Sequence, residues 1–278
     1  MGIYTDFALR LSQHILKSAL KGKASSSFSA NNLRRLKKIR GMCEREQRRF
    51  MTHSAIGELG PKVQMGPFKG MLLQEKESWG EGDTLPKILG TYEAELAPIF
   101  IALKDIPFQR LINIGCAEGY FTVGCALALN IDEVIAVDLD SKALQLCEEN
   151  KKNNEVDTTF HFQSSISSEH LQSILSDYPK SLVLCDCEGY EKTLLGSLDT
   201  SAAKESHFIV ECHDFVDPEI TPLLKSKFQT SHNVQIIQES ERDPNQIEFL
   251  RNYDSGDRWL AISENRPETM HWLIATPR

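Results

Sequence analysis

No stretch of this 278-residue chain approaches the roughly 18–20 uncharged apolar residues that a bilayer-spanning helix requires. The opening residues, MGIYTDFALRLSQHILK, lack the compact apolar core and small-residue cleavage site of a secretory leader, and Asp6 stands where a myristoylation signal wants Ser or Thr. A soluble, cytoplasmic protein without a membrane partner is expected. Cysteine lacks pattern: of seven, only Cys185 and Cys187 stand close, and no second cluster completes a zinc site. Strand alternation would put those two thiols on one face, and reduced, structural cysteines are expected throughout. Positive charge is also short, since the net charge is −8. That argues against indiscriminate binding to nucleic acid or acidic membranes.

One segment departs from that balance. Residues 33–50, LRRLKKIRGMCEREQRRF, hold eight basic and two acidic side chains. An anionic partner such as RNA is one reading, and the favoured one is an amphipathic helix with a basic solvent face. Leu36, Ile39, Cys43 and Phe50 fall at roughly helical spacing and are its expected buried face. Before it, residues 1–21 read as a helix and KGKASSSFSANN as a joint, with Asn31 or Asn32 as cap. The expected organisation is a helical appendage over 1–56, open to pairing with a second copy. An irregular, glycine-rich lead-in over 57–90 shapes an acceptor pocket, with Phe68, Trp79 and Trp259 as candidate walls. A single domain over 91–278 follows.

That domain alternates apolar strands with helices. RLINIG, EVIAVD, TTFHFQSS, SLVLCD and HFIVEC are strands separated by helical patterns, then NVQIIQES and MHWLIATP close the chain. The expected fold is α/β: a Rossmann-like, mostly parallel sheet covered on both faces, with an antiparallel closing pair. The polar segment 240–268 is expected as an insertion over one end of the sheet. Ligands of open α/β sheets bind beyond the carboxyl ends of strands. Here those ends read Gly115-Cys116-Ala117-Glu118-Gly119, Asp138-Leu139-Asp140, Gln163-Ser164-Ser165, Asp186-Cys187-Glu188-Gly189 and Glu211-Cys212-His213-Asp214. Four of the five carry a carboxylate.

The first of these turns is G-x-x-x-G, because Ala117 fills the middle position of the dinucleotide fingerprint G-x-G-x-x-G. A pyrophosphate needs bare backbone there, and a cofactor without pyrophosphate does not. Asp138, 23 residues after Gly115, sits where an acid accepts hydrogen bonds from both ribose hydroxyls. One strand end suited to an amino-acid-like tail and a neighbour suited to ribose match the shape of S-adenosylmethionine. A hydroxyl acceptor would need a base, and His213, beside Asp214 and across from Asp186, is the candidate, with Glu188 and Glu191 as alternatives. Glu191 is equally read as a cap or salt-bridge partner of the helix it begins. Asp186, Glu211 and Asp214 could instead gather a divalent metal, a reading not favoured over the metal-free one.

LINIGCAEGYFTVGCAL with VIAVDLD resembles motifs I and II of class I S-adenosylmethionine-dependent methyltransferases. LVLCDCEGYEKTLLGSL followed by HFIVECHDF resembles the FkbM-type branch, with its acidic-Glu-Gly-x-Glu turn after the fourth strand. The resemblance covers about residues 90–239 and touches GPFKGM and LPKILGTYEAEL upstream. Cys116 and Cys187 depart from the residues expected there. The resemblance implies that Gly115, Cys116 and Gly119 line the methionine end, Asp138 binds ribose, Leu139 packs beside adenine, and Ser164, Ser165 and Ile166 border its ring. Asp186 would lie near the sulfonium or amino group, while Tyr92 and Glu93 would close on the methionine carboxylate or amine. No Asn/Asp-Pro-Pro-aromatic turn follows strand four, which disfavours methylation of base amines. The first reading is therefore O-methylation of a small molecule such as a sugar or secondary metabolite. RNA methylation docking through 33–50, and cofactor binding without chemistry, are the alternatives.

Overall fold

A computed structural model describes residues 30–74, 83–240 and 242–278. The expected helix over 1–21, Trp79 and part of the lead-in lie outside the described residues. The chain divides into two compact units, 1–50 and 51–278, so the division falls six residues before the expected boundary at 56 and inside a helix. That helix, α1, runs Ala30–Leu59. Asn31 and Asn32 therefore lie within its first turn rather than ahead of it. Cys43 and Phe50 are exposed and Leu36 and Ile39 half-buried, so the four do not form the buried face expected of them. Further along the helix, Met51 and Ala55 have no exposure, and burial follows that i, i+4 stripe instead.

In the second unit, helices α2 (Thr84–Leu89) and α3 (Ala97–Leu103) lead into β1 (Phe108–Ile114). TYEAELAPIFIAL is thus not one helix. Glu93 takes a left-handed conformation (φ 46°), a 3₁₀ turn covers Ala94–Leu96, and Pro98 opens the α-helix where a missing N–H costs nothing. Then follow α4 (Tyr120–Ala128), β2 (Ile131–Val137), α5 (Ser141–Asn153), β3 (Thr159–Gln163), α6 (Ser168–Asp177) and β4 (Ser181–Cys185). The chain ends through α7 (Glu191–Gly196), β5 (His207–Cys212), α8 (Ile220–Phe228), β6 (His232–Gln238), α9 (Ser255–Ile262) and β7 (His271–Pro277).

The seven strands form one sheet in the order β3-β2-β1-β4-β5-β7-β6. β1 to β5 are parallel, and β7 inserts antiparallel between β5 and β6. This is the expected sheet, closing pair included. β4 is the central strand, and every side chain of SLVLC is buried, as a parallel strand covered on both faces requires. Two apolar clusters fill the two faces. One gathers Phe68, Phe100, Leu111, Val134 and Trp272, and the other Ile112, Val183, Phe208, Leu224 and Phe228. Phe68 is therefore core, packed at 5.1 Å from Phe100, while Trp259 is 53% exposed. Strand order reverses between β1 and β4, which puts the ligand crevice beyond their carboxyl ends.

Candidate active site

The β1 turn is held by three left-handed residues, Gly115 (φ 78°), Ala117 (φ 47°) and Gly119 (φ 90°). A Cβ on Gly115 would stand 1.6 Å from the Asp186 carbonyl oxygen, so glycine is what lets the β1 and β4 turns touch. On Gly119 it would stand 2.6 Å from Cys147 Sγ, where α4 packs against α5. Asp138 spans the two neighbouring strand ends: Ala117 N–H donates to its Oδ2 (2.9 Å) and Asp140 N–H to its Oδ1 (2.8 Å). Each carboxylate oxygen keeps a further lone pair. Leu139 follows at 88% exposure, and Ser164 and Ser165 are exposed with Ile166 half-buried at the end of β3. Cys116 is buried beside Cys147, and that thiol together with burial pushes its pKa far up.

Beyond β4 and β5 lies a cavity of about 170 Å³ lined by Tyr92, Asp186, Glu188, Glu211, His213 and Arg266, among others. Gly115, Asp138, Leu139 and Ser164–Ile166 do not line it; the two parts of the edge meet where Gly115 abuts Asp186. His213 is 3% exposed. Its Nδ1 lies 2.8 Å from Glu191 Oε1, which also accepts from the Cys187 (3.2 Å) and Gly189 (3.1 Å) amides. Burial would raise the Glu191 pKa, but His213 and the Gly189 amide outweigh it and hold the group below its usual value. An ionised Glu191 only accepts, so Nδ1 carries a proton and a neutral imidazole presents its Nε2 lone pair to the cavity. Nε2 makes no hydrogen bond among the described residues. It stands 3.6 Å from Asp186 Oδ1, 3.4 Å from Glu188 Oε2 and 3.8 Å from Glu211 Oε2. Burial lowers the imidazole pKa, but the Glu191 bond and the carboxylates around Nε2 more than offset this and bring it above 6.5.

Those carboxylates are themselves perturbed. Burial, with Glu93 nearby, raises Asp186 to about 7, and burial beside Asp186 raises Glu211 well above the usual carboxylate range. The same holds for buried Glu93, which faces Glu211. Two arginines from the insertion knit this wall together. Arg266 binds Glu93 (2.5 Å), Glu264 (3.2 Å) and Glu211, while Arg242 binds Glu95 (2.6 Å), Glu264 (2.8 Å) and the Thr91 carbonyl (2.6 Å). Glu93 also donates its N–H to Glu264 Oε1 (2.9 Å). Tyr92 meets Tyr120 edge-on at 5.4 Å, and Lys87 Nζ, paired with Glu118, lies 4.7 Å from the Tyr92 ring centre.

Sequence reasoning placed Asp186, Glu188 and His213 together, and the structure brings them together. It placed Asp214 in a metal set, and here the structure differs. Both Asp214 oxygens accept from Thr221, Oδ1 from N–H (2.9 Å) and Oδ2 from Oγ1 (2.6 Å), which ties down the start of α8. His213 takes its place, with Asp186 and Glu211 offering one ligand atom each within 4.8 Å of one another. Cys185 and Cys187 do share a face, Sγ to Sγ 3.5 Å, as free thiols. The part of Glu191 in orienting His213, and those of Arg242, Glu264 and Arg266, were missed. A carboxylate six residues after β4 was the signal for the first, and the polar insertion carried none for the others.

The sheet order, with β7 antiparallel between β5 and β6, and the crevice at its switch point define a Rossmann-like fold of the kind found in methyltransferases. Within it, a family model for ribosomal protein L11 methyltransferase (PrmA) matches residues 102–185, less than a third of the chain. The match ends at Cys185, just before the turn that carries the FkbM-type resemblance. No curated protein sequence matches. Among solved structures, a human methyltransferase 10 domain containing protein is similar at 11% identity and TM-score 0.46, covering 84% of this chain and 97% of that one. Precorrin-6y C5,15-methyltransferase from Geobacter metallireducens GS-15 is similar at 10% identity and TM-score 0.44, covering 75% and 94%. An rRNA methylase from Streptococcus thermophilus is similar at 11% identity and TM-score 0.41, covering 69% and 97%.

Proposed function

We propose that this chain is a cytoplasmic S-adenosylmethionine-dependent methyltransferase of the FkbM-type branch that methylates a hydroxyl on a small molecule such as a sugar or secondary metabolite. The observation that carries the reading is His213, oriented through Nδ1 by buried Glu191 and presenting Nε2 to a cavity beside the glycine turn. The residues present fit the donor. Asp138 keeps lone pairs for ribose hydroxyls, and Leu139, with Ser164, Ser165 and Ile166, offers an open border for adenine. The backbone of Gly115, Cys116 and Gly119 would line the methionine end. Tyr92 and Glu93 would receive its polar groups, with Asp186 near the sulfonium, and Oε2 of buried Glu93 lacks a hydrogen-bond partner. Bound there, S-adenosylmethionine supplies an electrophilic methyl group on a sulfonium.

The chain's own part is positioning and proton handling. Holding two reacting atoms in line accounts for much of the rate of a displacement. The acceptor hydroxyl must lose a proton as it attacks, and His213 Nε2 takes it while Glu191 steadies the imidazolium that results. Asp186 and Glu188, within 4 Å of Nε2, add to that stabilisation. Arg266 fixes Glu93 and Glu211 so that the carboxylates keep their places around the cavity.

Incubating the protein with labelled donor and extracts of the producing cell tests the reading. A labelled small molecule is expected, and its formation should be lost with His213→Ala. Donor binding without transfer to any compound, indifferent to that substitution, would instead favour a cofactor-binding protein. RNA methylation draws on α1, where Arg34, Arg35, Lys37, Lys38, Arg40, Arg45 and Arg49 are exposed. RNA affinity that falls steeply with salt would support it.

A further inference from the structure

The cavity has an acid excess that its arginines do not cancel. Arg266 is engaged by Glu93, Glu211 and Glu264, and Arg242 by Glu95 and Glu264, so both guanidiniums are committed within the wall. Among the described lining residues Arg266 is the only lysine or arginine, against Asp186, Glu188, Glu211 and Glu264. Asp186 Oδ1 is buried 3.6 Å from His213 Nε2 without a hydrogen-bond partner, and when ionised it only accepts, so the group that completes it is a donor. Buried carboxylates close together are stable only with positive charge or protons among them. Phe215 adds an aromatic ring to the same cavity, 44% exposed and 5.6 Å from the His213 ring. Carboxylates beside an open aromatic face make a receptor for an alkylammonium, held by ion pairing and by the ring's negative face. A phosphate or carboxylate on the acceptor would meet like charge on several sides.

We infer that the acceptor carries a protonated amine close to the hydroxyl that is methylated, an amino sugar or amino alcohol, with Asp186 and Glu188 as its counter-charges and Phe215 as the ring against it. This rests on the methyl-transfer reading and deepens it. The amine is the handle, and it also offsets the carboxylates around His213 while the base works on the neighbouring hydroxyl. Glu188 suits the role because it is two-thirds exposed at the cavity mouth, where an incoming group reaches it.

The test compares three probes of similar size against the protein saturated with S-adenosylhomocysteine: glucosamine, glucose and glucose 6-phosphate, by calorimetry. Glucosamine is expected to bind at least about tenfold more tightly than glucose, and glucose 6-phosphate more weakly than either. Phe215→Ala should reduce the glucosamine advantage several-fold and leave glucose unchanged, and Glu188→Gln should likewise reduce that advantage several-fold. Equal affinities, a preference for the phosphate, or no binding of any probe overturns the inference. In parallel, label transferred to cell extract is fractionated at pH 7. Product retained on a cation exchanger supports the amine; product in the flow-through or on an anion exchanger overturns it while leaving methyl transfer standing. Absence of any labelled product counts against methyl transfer itself, and the inference that rests on it falls with it.

Discussion

At the ends of β1 and β2, the groups proposed to face the donor come from short turns that follow their strands at once, Gly115–Gly119 and Asp138–Leu139. At the ends of β4 and β5 and ahead of β7, the cavity wall of Asp186, Glu211 and Arg266 is braced from behind by Glu93, 173 residues from its partner Arg266. The first half is made of backbone conformation and one carboxylate, and the second of coupled buried charges. A turn depends on steric permission at single residues, so single substitutions there act through shape. A charge network depends on mutual compensation, so its substitutions act through protonation.

The largest expected effect tests the steric half. Gly115→Ala puts a methyl group into the Asp186 carbonyl at a left-handed φ. The left-handed conformation costs about 1–2 kcal/mol and the overlap about 1–3 kcal/mol more. A loss of roughly 2–5 kcal/mol in denaturant unfolding is expected, with donor binding abolished. A wild-type midpoint would show that the β1 and β4 turns separate freely.

Next comes the charged half. Glu191→Gln keeps the shape but removes the negative charge and puts an NH2 donor within reach of Nδ1, which unsettles the His213 tautomer, and a fall in kcat on the order of 10²–10⁴ is expected. Donor affinity should stay within about twofold. His213→Ala should cost a similar factor, and the double variant little more, since the two act as one unit. If Glu191→Gln lowers donor affinity and stability but leaves kcat alone, the glutamate only anchors the β4 turn. The pH profile sharpens this. His213 must be neutral to take a proton, and its pKa in the fold lies above 6.5 because Glu191 and the cavity carboxylates outweigh burial. kcat/KM is therefore expected to rise with pH through a midpoint above 6.5, and Glu188→Gln, which removes one of those carboxylates, should move that midpoint down.

Asp138→Ala is the smaller counterpart on the donor side. It removes the acceptor for ribose, and calorimetry should show binding weakened by roughly 1–3 kcal/mol. Asp138 also holds the Ala117 and Asp140 amides, so part of that loss is loop order. Asp138→Asn retains one acceptor oxygen and should fall between wild type and alanine.

The same division governs what the sequence revealed. The glycine turn, Asp138 and all seven strands were legible because each rests on local rules: strand periodicity, the turn residues and the position of an acid after an apolar run. Asp186, Glu188 and His213 were legible as strand-end residues, because the sheet itself gathers strand ends. Glu191 was read as a cap or salt-bridge partner of its own helix, and the structure adds that it is fully buried and bonds across to His213. Arg242, Glu264 and Arg266 sit in a polar stretch with no periodicity, and nothing local says that Arg266 reaches Glu93. Asp214 was misplaced for a related reason, since strand alternation does not extend into the turn that binds Thr221. In α1, the buried stripe was set one step too early along the helix, because Cys43 and Phe50 are apolar without being buried.

The smallest effect returns to the glycine turn. Ala117 occupies a left-handed conformation (φ 47°) that glycine adopts freely. Ala117→Gly relieves about 1–2 kcal/mol of backbone strain but loosens the unfolded chain by about 0.4–1 kcal/mol. A net gain of about 0.5–1 kcal/mol in unfolding free energy is expected. Because Ala117 contributes its N–H to Asp138, and glycine has the same N–H, donor affinity should be unchanged. The sequence argument held that the middle alanine separates this turn from those that bind pyrophosphate. The structure points to the amide instead: it is turned to the neighbouring acid and is not open to a phosphate. Measuring NAD binding to Ala117→Gly separates the two. Affinity gained with the glycine would make the methyl group the discriminator, and none gained would give that role to the Ala117–Asp138 bond.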